Sequence, residues 1–334
     1  METDFKVLKA AQKGTRSIAN DVQWVSATCK RLIEEVAKVI VGKPHVLELV
    51  TVDVLTAGNI LFEDFPGLAK SLMASTFSRA SGSDFKRIQF TPDLLPADIT
   101  GIYMYNQRTG EFEFRPGPVF TNFLLADEIN RAPPKTQSAL LETMQERQVT
   151  VEGNTHALAK PYIVLATQNP VEQEGTYPLP EAQMDRFLMK MSVGYPSRKE
   201  EVEILRRRMV RKKDDVDVKA VTTPEEIVKM QKIVEEIHTD DGIMEYIGEI
   251  VSRTREDPRM EVGSSPRGSL ALFKASRSYA AVQGRDYVVP DDVKRILMPS
   301  MAHRMILKPE PKLKGVKTED VLKKIIDEVP VPKT

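Results

Sequence analysis

Apolar positions follow two different patterns along this chain of 334 residues. Over residues 1–40 they recur every three or four positions, which predicts a helical segment. From about residue 41 to 195, short runs rich in apolar residues alternate with segments of helical periodicity. The runs are NILF (59–62), KRIQF (86–90), NFLLA (122–126), PYIVLA (161–166) and FLMKMSV (187–193). Nearly continuous apolar runs are typical of strands buried on both faces of a parallel sheet, so we expect a three-layer α/β domain over 41–195.

After about residue 196 the strand pattern nearly disappears and signals for helix starts take its place. These signals stand at Ser197–Glu200, Thr223–Pro224, Ser265–Pro266 and Pro290–Asp292. Each combines a capping side chain or a proline with acidic or polar residues in the first turn. We therefore expect a small all-helical domain over 196–307. The remaining residues, 308–334, are rich in lysine and proline and are expected to form a peripheral tail.

Two spans inside the α/β region do not fit the alternation of strands and helices. Residues 98–120 alternate apolar and polar positions around Arg108-Thr109-Gly110, which predicts a β-hairpin. Residues 147–160 predict a second hairpin that turns at Glu152-Gly153-Asn154. Both spans are interpreted as insertions into the minimal α/β core.

Composition narrows the possible partners and compartments. Basic and acidic residues both number 48, which argues against non-specific binding of nucleic acid or an anionic membrane surface. No apolar run approaches the roughly 18 residues that a membrane span requires, and no secretory signal is present. The single cysteine, Cys29, cannot form an intrachain disulfide. We expect a protein without a membrane span, located in the cytoplasm.

The segment 58–80 has the layout of a phosphate-binding loop. An apolar strand leads into a Pro-Gly turn, and Lys70-Ser71 then opens a helical stretch. In the general pattern G-x-x-x-x-G-K-[ST], the glycines stand where this chain has Asp64 and Ala69. Lys70 could reach phosphate oxygens and Ser71 could bind Mg²⁺, but an ordinary helix start explains this segment equally well.

Other polar groups follow the predicted strands, and they strengthen the interpretation as a nucleotide site. Asp127-Glu128 ends an apolar strand, where two adjacent carboxylates are costly unless they hold a cation or polarise a water. In an NTPase, Asp127 would act on Mg²⁺ and Glu128 on the attacking water. Asn169 ends another strand and could contact the γ-phosphate, although Asn169-Pro170 is also a good turn dipeptide.

Two arginines are further candidates. Arg186, in the sequence MDRF, could act as an arginine finger in a neighbouring subunit, although a surface Arg–Asp pair would explain it as well. Arg267 lies in the first turn of a predicted helix, where an arginine gains nothing from the helix dipole. From there it could reach back to the phosphates. The basic cluster over 206–213 is interpreted as a solvated helix face.

Four separated segments together resemble MoxR-type AAA+ ATPases, within the group that also contains magnesium chelatase subunits and MCM helicases. They are QFTPDLLPADITG (89–101), GPVFTNFLLADEINRAPPKTQSALLETMQERQVTVEG (117–153), ATQNPVEQEGTYPLPEAQMDRF (166–187) and GSSPRGSLAL (263–272). The resemblance covers about residues 36–300. It implies a parallel-sheet AAA+ core followed by a helical lid.

The resemblance also implies roles for individual residues and for the whole molecule. Lys70 and Ser71 match the Walker A motif, and Asp127 and Glu128 match the Walker B motif. Asn169 matches sensor 1. Arg186 matches the arginine finger, and Arg267 matches sensor 2. ATP or ADP would bind there with Mg²⁺, against the loop residues Phe65, Pro66, Gly67, Leu68 and Ala69 and, at the adenine, Val41 and Gly42. Relatives form homo-oligomeric, often hexameric, rings that act as chaperone-like ATPases beside proteins with von Willebrand factor A domains.

Two residues depart from the pattern of the resembled family. Lys43 stands where a glutamine usually follows the segment near the adenine, and Asp64 stands where glycine is usual. An aspartate beside a triphosphate would be repelled unless its carboxylate points outward or meets a cation, and positive φ angles would be costly there. We expect Asp64 to weaken nucleotide binding or to slow turnover if its carboxylate faces the phosphates.

The leading hypothesis is an Mg²⁺-dependent ATPase that remodels or matures a client protein complex. A nucleotide-binding scaffold with negligible turnover is the first alternative, and Asp64 is its sequence support. A nucleic-acid motor similar to MCM helicases is the second, and the balanced charge argues against it.

Overall fold

The computed structural model describes residues 2–170 and 176–332, with side chains from residue 18 onward. Compactness divides the chain into two units. We call the first the α/β unit; it consists of Leu32–Val50 and Ala57–Val228. The second, which we call the helical unit, consists of Met1–Arg31, Thr51–Thr56 and Lys229–Thr334. The functional boundaries that the sequence suggests at residues 41, 196 and 308 stay a prediction.

The strands are β1 (Asn59–Glu63), β2 (Phe85–Gln89), β3 (Gly101–Asn106), β4 (Glu111–Pro116), β5 (Phe123–Asp127), β6 (Gln148–Val151), β7 (Asn154–Ala157), β8 (Ile163–Gln168), β9 (Met189–Met191), β10 (Met260–Val262) and β11 (Ile306–Leu307). The helices are α1 (Glu2–Ala37), α2 (Pro44–Leu55), α3 (Lys70–Ala80), α4 (Pro96–Thr100), α5 (Pro134–Glu146), α6 (Glu181–Met184), α7 (Arg198–Arg211), α8 (Pro224–Glu235), α9 (Asp241–Glu256), α10 (Pro266–Val282), α11 (Pro290–Met301), α12 (Pro309–Leu313) and α13 (Thr318–Glu328). Short 3₁₀ turns cover Ile129–Arg131 and Ala302–Arg304.

A five-stranded parallel sheet with the strand order β2-β5-β8-β1-β9 forms the centre of the α/β unit. The three middle strands bury every residue except the last, as expected for strands covered on both faces. In the edge strand β2, by contrast, only Ile88 is buried. The predicted parallel α/β fold is therefore confirmed.

The parallel pairing gathers polar side chains at one edge of this sheet. Glu63 at the end of β1 pairs with Gln168 at the end of β8, and Gln89 at the end of β2 pairs with Asp127 at the end of β5. Because parallel strands present their carboxyl ends at the same edge, ligands of open α/β sheets usually bind in this position. An apolar core that includes Leu61, Leu124 and Val164 lies beneath these strand ends.

Both predicted hairpins form. The strands β3 and β4 pair in antiparallel fashion, and so do β6 and β7. The first insertion differs from its predicted extent, since residues 98–100 belong to the helix α4 and the strands cover only Gly101–Pro116. The two hairpins contact each other through His156, whose ring stacks on Phe114 with centroids 4.0 Å apart.

The helical unit packs α10 and α9 against α11 and α13. The expectation of a peripheral tail after residue 308 is wrong for α13, because its apolar residues Val321, Leu322 and Ile325 are buried. This unit also contains the antiparallel pair β10–β11, which the sequence analysis did not predict. No helix in the described ranges is long and apolar enough to span a membrane.

Candidate functional site

The loop between β1 and α3 turns sharply just before the helix begins. Gly67 has a φ of 84°, with open space where a side chain would stand, and Ala69 has a φ of 57°. The left-handed conformation is natural for glycine but costs energy at alanine, so the turn is held by its surroundings. Ala69 precedes α3 and has no side-chain acceptor to offer the first N–H groups of the helix. The start of α3 is therefore suited to an anion.

Lys70 is the first residue of α3, and its side chain lies back against the loop. Its Nζ donates hydrogen bonds to the carbonyl oxygens of Asp64, at 3.0 Å, and Phe65, at 2.7 Å. Burial lowers the pKa of Lys70, while the nearby carboxylates of Asp64, Asp127 and Glu128 act in the opposite direction. A phosphate at this position would replace two carbonyl acceptors with a fully charged partner.

Asp127 ends β5 and accepts hydrogen bonds on both of its carboxylate oxygens. Oδ1 accepts from the Thr167 hydroxyl at 2.6 Å, and Oδ2 accepts from the Ser71 hydroxyl at 3.3 Å. Oδ2 also accepts from Arg87, whose Nη2 lies 2.7 Å away. A hydroxyl and a carboxylate oxygen in contact form a hard oxygen pair, which suits Mg²⁺. Ser71 and Asp127 therefore fit the predicted magnesium site.

Glu128 adopts a left-handed backbone conformation, with a φ of 56°. Non-glycine residues rarely adopt this conformation, and such strain is concentrated at functional sites. Its Oε2 accepts from Gln89 Nε2 at 2.7 Å and from Arg131 Nη1 at 3.0 Å. Its backbone N–H donates to the Thr167 hydroxyl at 2.8 Å. The carboxylate is thus oriented by two donors at the sheet edge.

A cavity of about 440 Å³ connects these groups. Its lining includes the predicted residues Pro66, Gly67, Leu68, Ala69, Lys70, Ser71, Asp127, Glu128 and Asn169. Asn169 also accepts a hydrogen bond on its carbonyl oxygen from Asn130 Nδ2, at 3.3 Å. Three separated stretches of the sequence therefore meet around one volume at the carboxyl edge of the sheet.

The structure places the other predicted residues outside this cavity lining. Phe65 is 42% exposed, and its ring lies 6.0 Å from that of Tyr195. Val41 and Gly42 precede α2; Gly42 has a φ of 65°, and a side chain added there would collide with Glu200. Val41, Gly42 and Phe65 are not among the residues that line this cavity, although Phe65 contributes its carbonyl oxygen to Lys70.

The two predicted arginines belong to different units. Arg186 lines a separate cavity of about 400 Å³ together with Glu142 and Glu146, and its Nη1 donates to the Leu141 carbonyl at 3.2 Å. Arg267 lies in the first turn of α10, in the helical unit, where its backbone N–H donates to the Ser265 hydroxyl. Within the described part of the α/β unit, Arg186 is not among the residues that line the cavity of Lys70.

Asp64 contributes to the lining of this cavity, but its carboxylate is bound by the chain that follows β9. Its carboxylate is buried and accepts hydrogen bonds from the Ser192 hydroxyl at 2.5 Å and from the N–H groups of Val193 at 2.6 Å and Gly194 at 3.3 Å. Among the described residues, Asp64 is not one of those with a positive φ. Three donors therefore compensate the Asp64 carboxylate, which reduces the repulsion that we expected it to exert on the phosphates.

Two further residues of this site, Arg87 and Gln89, are not among those predicted from the sequence. Both line the cavity from β2, and their side chains contact Asp127 and Glu128 respectively. A signal was present in the run KRIQF, where polar residues occupy alternate positions of a strand. Such alternation places both side chains on the same face, while the strand's position at the sheet edge requires the three-dimensional structure.

Comparisons with known proteins agree with this geometry. Residues 59–189 match the profile of the ATPase family associated with various cellular activities (AAA), and residues 252–325 match the AAA lid domain. The chain is 49% identical to the Bacillus subtilis protein YeaC over 90% of this chain and 94% of that one. It is 42% identical to Chaperone MoxR1 of Mycobacterium tuberculosis, over 97% of this chain and 86% of that one.

A solved crystal structure is similar over almost the whole length. It is that of a Cytophaga hutchinsonii protein designated an ATPase, with a TM-score of 0.88, 39% identity, and coverage of 98% of this chain and 99% of that one. The match extends through both the AAA and the lid segments, as the resemblance implied. The chain belongs to the MoxR family of AAA+ ATPases.

Proposed function

We propose that the protein binds ATP in the cavity between the phosphate loop and the carboxyl ends of β5 and β8, and hydrolyses it. The backbone N–H groups of residues 67–71 would surround the phosphates. Lys70 would exchange its two carbonyl partners for β- and γ-phosphate oxygens. Val41 and Gly42 would lie near the adenine, and Phe65 would belong to the phosphate loop.

Ser71 and Asp127 would hold Mg²⁺, because their oxygen atoms already lie 3.3 Å apart. When bound, the cation neutralises charge on the phosphates during transfer. Thr167 supports this arrangement from below, since its hydroxyl donates to Asp127 and accepts from the N–H of Glu128. A single hydroxyl thereby fixes the relative position of the two carboxylates.

Glu128 would accept a proton from the attacking water, and Asn169 would help to orient that water. Glu128 contacts Gln89 and Arg131 through Oε2, so its other oxygen, Oε1, would face the water. Arg186 lines a different cavity from Lys70, which supports a role towards the nucleotide of a neighbouring subunit. Arg267 would respond to the nucleotide from the helical unit.

The observation that carries the proposal is the meeting of Lys70, Ser71, Asp127 and Glu128 around one cavity. We expect Lys70→Ala to abolish binding of a fluorescent ATP analogue. Glu128→Gln should bind the analogue with affinity close to that of the wild type and reduce phosphate release by about a hundredfold or more. Turnover by Glu128→Gln at the wild-type rate would refute the assignment of Glu128.

Assembly and client are proposed at a coarser level. A homohexameric ring would place Arg186 of one subunit near the phosphates of the next, and hydrolysis would move the lid and the two hairpins against a client protein. The name of the relative Chaperone MoxR1 supports such a chaperone-like role. A von Willebrand factor A domain partner and a cytoplasmic location stay predictions. Co-purification of a tagged Glu128→Gln chain, which would retain ATP, tests for a bound client.

The scaffold alternative loses the support that it drew from Asp64, because that carboxylate is bound by Ser192, Val193 and Gly194. The same phosphate-release measurement on the wild type distinguishes it from an ATPase. DNA-stimulated turnover would instead favour the motor alternative.

A further inference from the structure

Arg87 provides a positive charge at the position proposed for the magnesium ion. It lies on the edge strand β2, and its guanidinium donates to Asp127 Oδ2 from Nη2 at 2.7 Å and from Nε at 3.1 Å. The Ser71 hydroxyl donates to that same oxygen. The other oxygen, Oδ1, accepts from Thr167. Arg87 therefore binds the one oxygen of Asp127 that also faces Ser71.

Arg87 can leave this oxygen at low cost. Its side chain is 51% exposed, so water can solvate the guanidinium when it moves. Nη2 also donates to Gln89 Oε1 at 2.6 Å, which gives Arg87 a second partner on its own strand. The side chain of Asp127 is only 13% exposed, so this carboxylate needs a cationic partner more than Arg87 needs an anion.

We infer that Arg87 takes the place of the divalent cation at Asp127 in the nucleotide-free protein and must release Oδ2 when Mg²⁺ binds, so that Arg87 sets the Mg²⁺ requirement of nucleotide binding. The inference rests on the proposed function of the cavity. Competition for one oxygen raises the Mg²⁺ concentration needed to fill the site. It does not change nucleotide affinity once Mg²⁺ is saturating.

Lys86→Gln supplies a matched control for Arg87→Gln. Both substitutions remove one positive charge from β2, but successive side chains of a strand point to opposite faces. Lys86 is exposed and lies beside Arg87 in the chain, and it is not part of the cavity lining. Any effect of net charge on Mg²⁺ would appear in both variants, whereas relief of competition would appear only in Arg87→Gln.

The experiment follows the binding of fluorescently labelled ADP while MgCl₂ is titrated, so it does not depend on turnover. We expect the half-saturating Mg²⁺ concentration to fall about two- to fivefold in Arg87→Gln, which is the range that one partly exposed ion pair can supply. Arg87→Lys keeps the charge but loses the contact through two nitrogen atoms. Its half-saturating Mg²⁺ concentration should lie between those of Arg87→Gln and the wild type. Lys86→Gln should match the wild type.

An unchanged Mg²⁺ midpoint in a folded Arg87→Gln chain would overturn the inference. Weaker ADP binding by Arg87→Gln at saturating Mg²⁺ would also overturn it, because Arg87 would then be a phosphate ligand. Failure of the wild type to bind ADP at any Mg²⁺ concentration would instead remove the proposed function on which the inference depends. Urea unfolding of each variant verifies that the chains are folded.

Discussion

A single buried carboxylate, that of Asp64, ties the phosphate loop to the chain that leaves β9. Two backbone N–H groups and one hydroxyl donate to it, so three hydrogen bonds compensate its charge. A glycine at this position would give the loop more freedom but would leave the N–H groups of Val193 and Gly194 without this acceptor. Asp64 therefore supports the loop through these hydrogen bonds while it also lines the cavity.

We expect Asp64→Gly to lower the free energy of unfolding by about 2 to 4 kcal/mol, because buried donors lose a charged acceptor. Ser192→Ala removes only one of the donors and should cost about 1 kcal/mol. Urea denaturation of both variants measures the difference. An Asp64→Gly chain as stable as the wild type would show that the hydrogen bonds of Asp64 contribute nothing to stability.

For individual residues, the sequence predicts which side chains belong to the site more readily than it predicts where each side chain points. The sequence predicts Lys70, Ser71 and Asp127 because they lie at or after the ends of apolar strands. In a parallel sheet these ends must lie at the edge where ligands bind. The direction of the Asp64 carboxylate was not predictable, because it depends on β9 lying beside β1, a pairing of residues well over a hundred positions apart in sequence. The contact of Arg87 with Asp127 likewise depends on a strand pairing, that of β2 with β5.

Among the elements, α13 shows how composition can hide a core helix. Lysines surround its apolar positions, and the segment was expected to be peripheral, yet Leu322 is fully buried. The strands β1, β5 and β8 are easier to predict from the sequence, because they are buried on both faces and nearly all apolar. An amphipathic helix at the edge of a core has only one apolar stripe.

Leu322→Ala should lower the free energy of unfolding by about 2 to 5 kcal/mol, since it leaves a cavity in a packed interior. Leu313→Ala in α12 is the matched control, because Leu313 is 89% exposed and its truncation removes no packing. Thermal or urea unfolding of the two variants gives the comparison. Equal stability of the two variants would mean that α13 does not contribute to the core of the helical unit.

The end of α1 contributes a pH-dependent part of stability through Glu35. The backbone N–H of Lys219 donates to its carboxylate at 2.9 Å, and Lys38 forms an ion pair with it. The Lys219 N–H first, and Lys38 second, lower the pKa of Glu35 below its ordinary value of 4.5. A carboxyl whose pKa is lowered on folding stabilises the protein above the ordinary pKa, and this contribution is lost as the pH falls through the lowered value.

Glu35→Gln should therefore cost about 1 kcal/mol at pH 7, and the difference from the wild type should shrink as the pH falls below 4.5. Glu34→Gln is the control, because Glu34 is exposed on the same helix. Urea unfolding at several pH values between about 3 and 7 measures both. A deficit of Glu35→Gln that stays constant over this range would exclude the proposed linkage.

At the scale of the whole molecule, the position of Arg186 bears on whether a neighbouring subunit contributes to each nucleotide site. Arg186 and Lys70 of one chain line different cavities. Arg186 also shares its cavity with Glu142 and Glu146, which lowers the electrostatic cost of presenting a cation at a surface. The resemblance predicted this arginine, but one chain cannot supply the second subunit that its role requires.

A mixing experiment tests that role. Arg186→Ala alone should be inactive, because its intact sites lack a neighbour's arginine, and Lys70→Ala alone should be inactive, because it cannot hold the nucleotide. When the two are mixed, Arg186 of the Lys70→Ala chain should complete the site of the Arg186→Ala chain and restore part of the phosphate release. Mixing Arg186→Ala with a Lys70→Ala/Arg186→Ala double variant supplies no arginine and should stay inactive. Phosphate release that returns in this control would exclude action between subunits. So would a lack of phosphate release by the mixture of Arg186→Ala and Lys70→Ala, once size-exclusion chromatography has verified that the two chains assemble together.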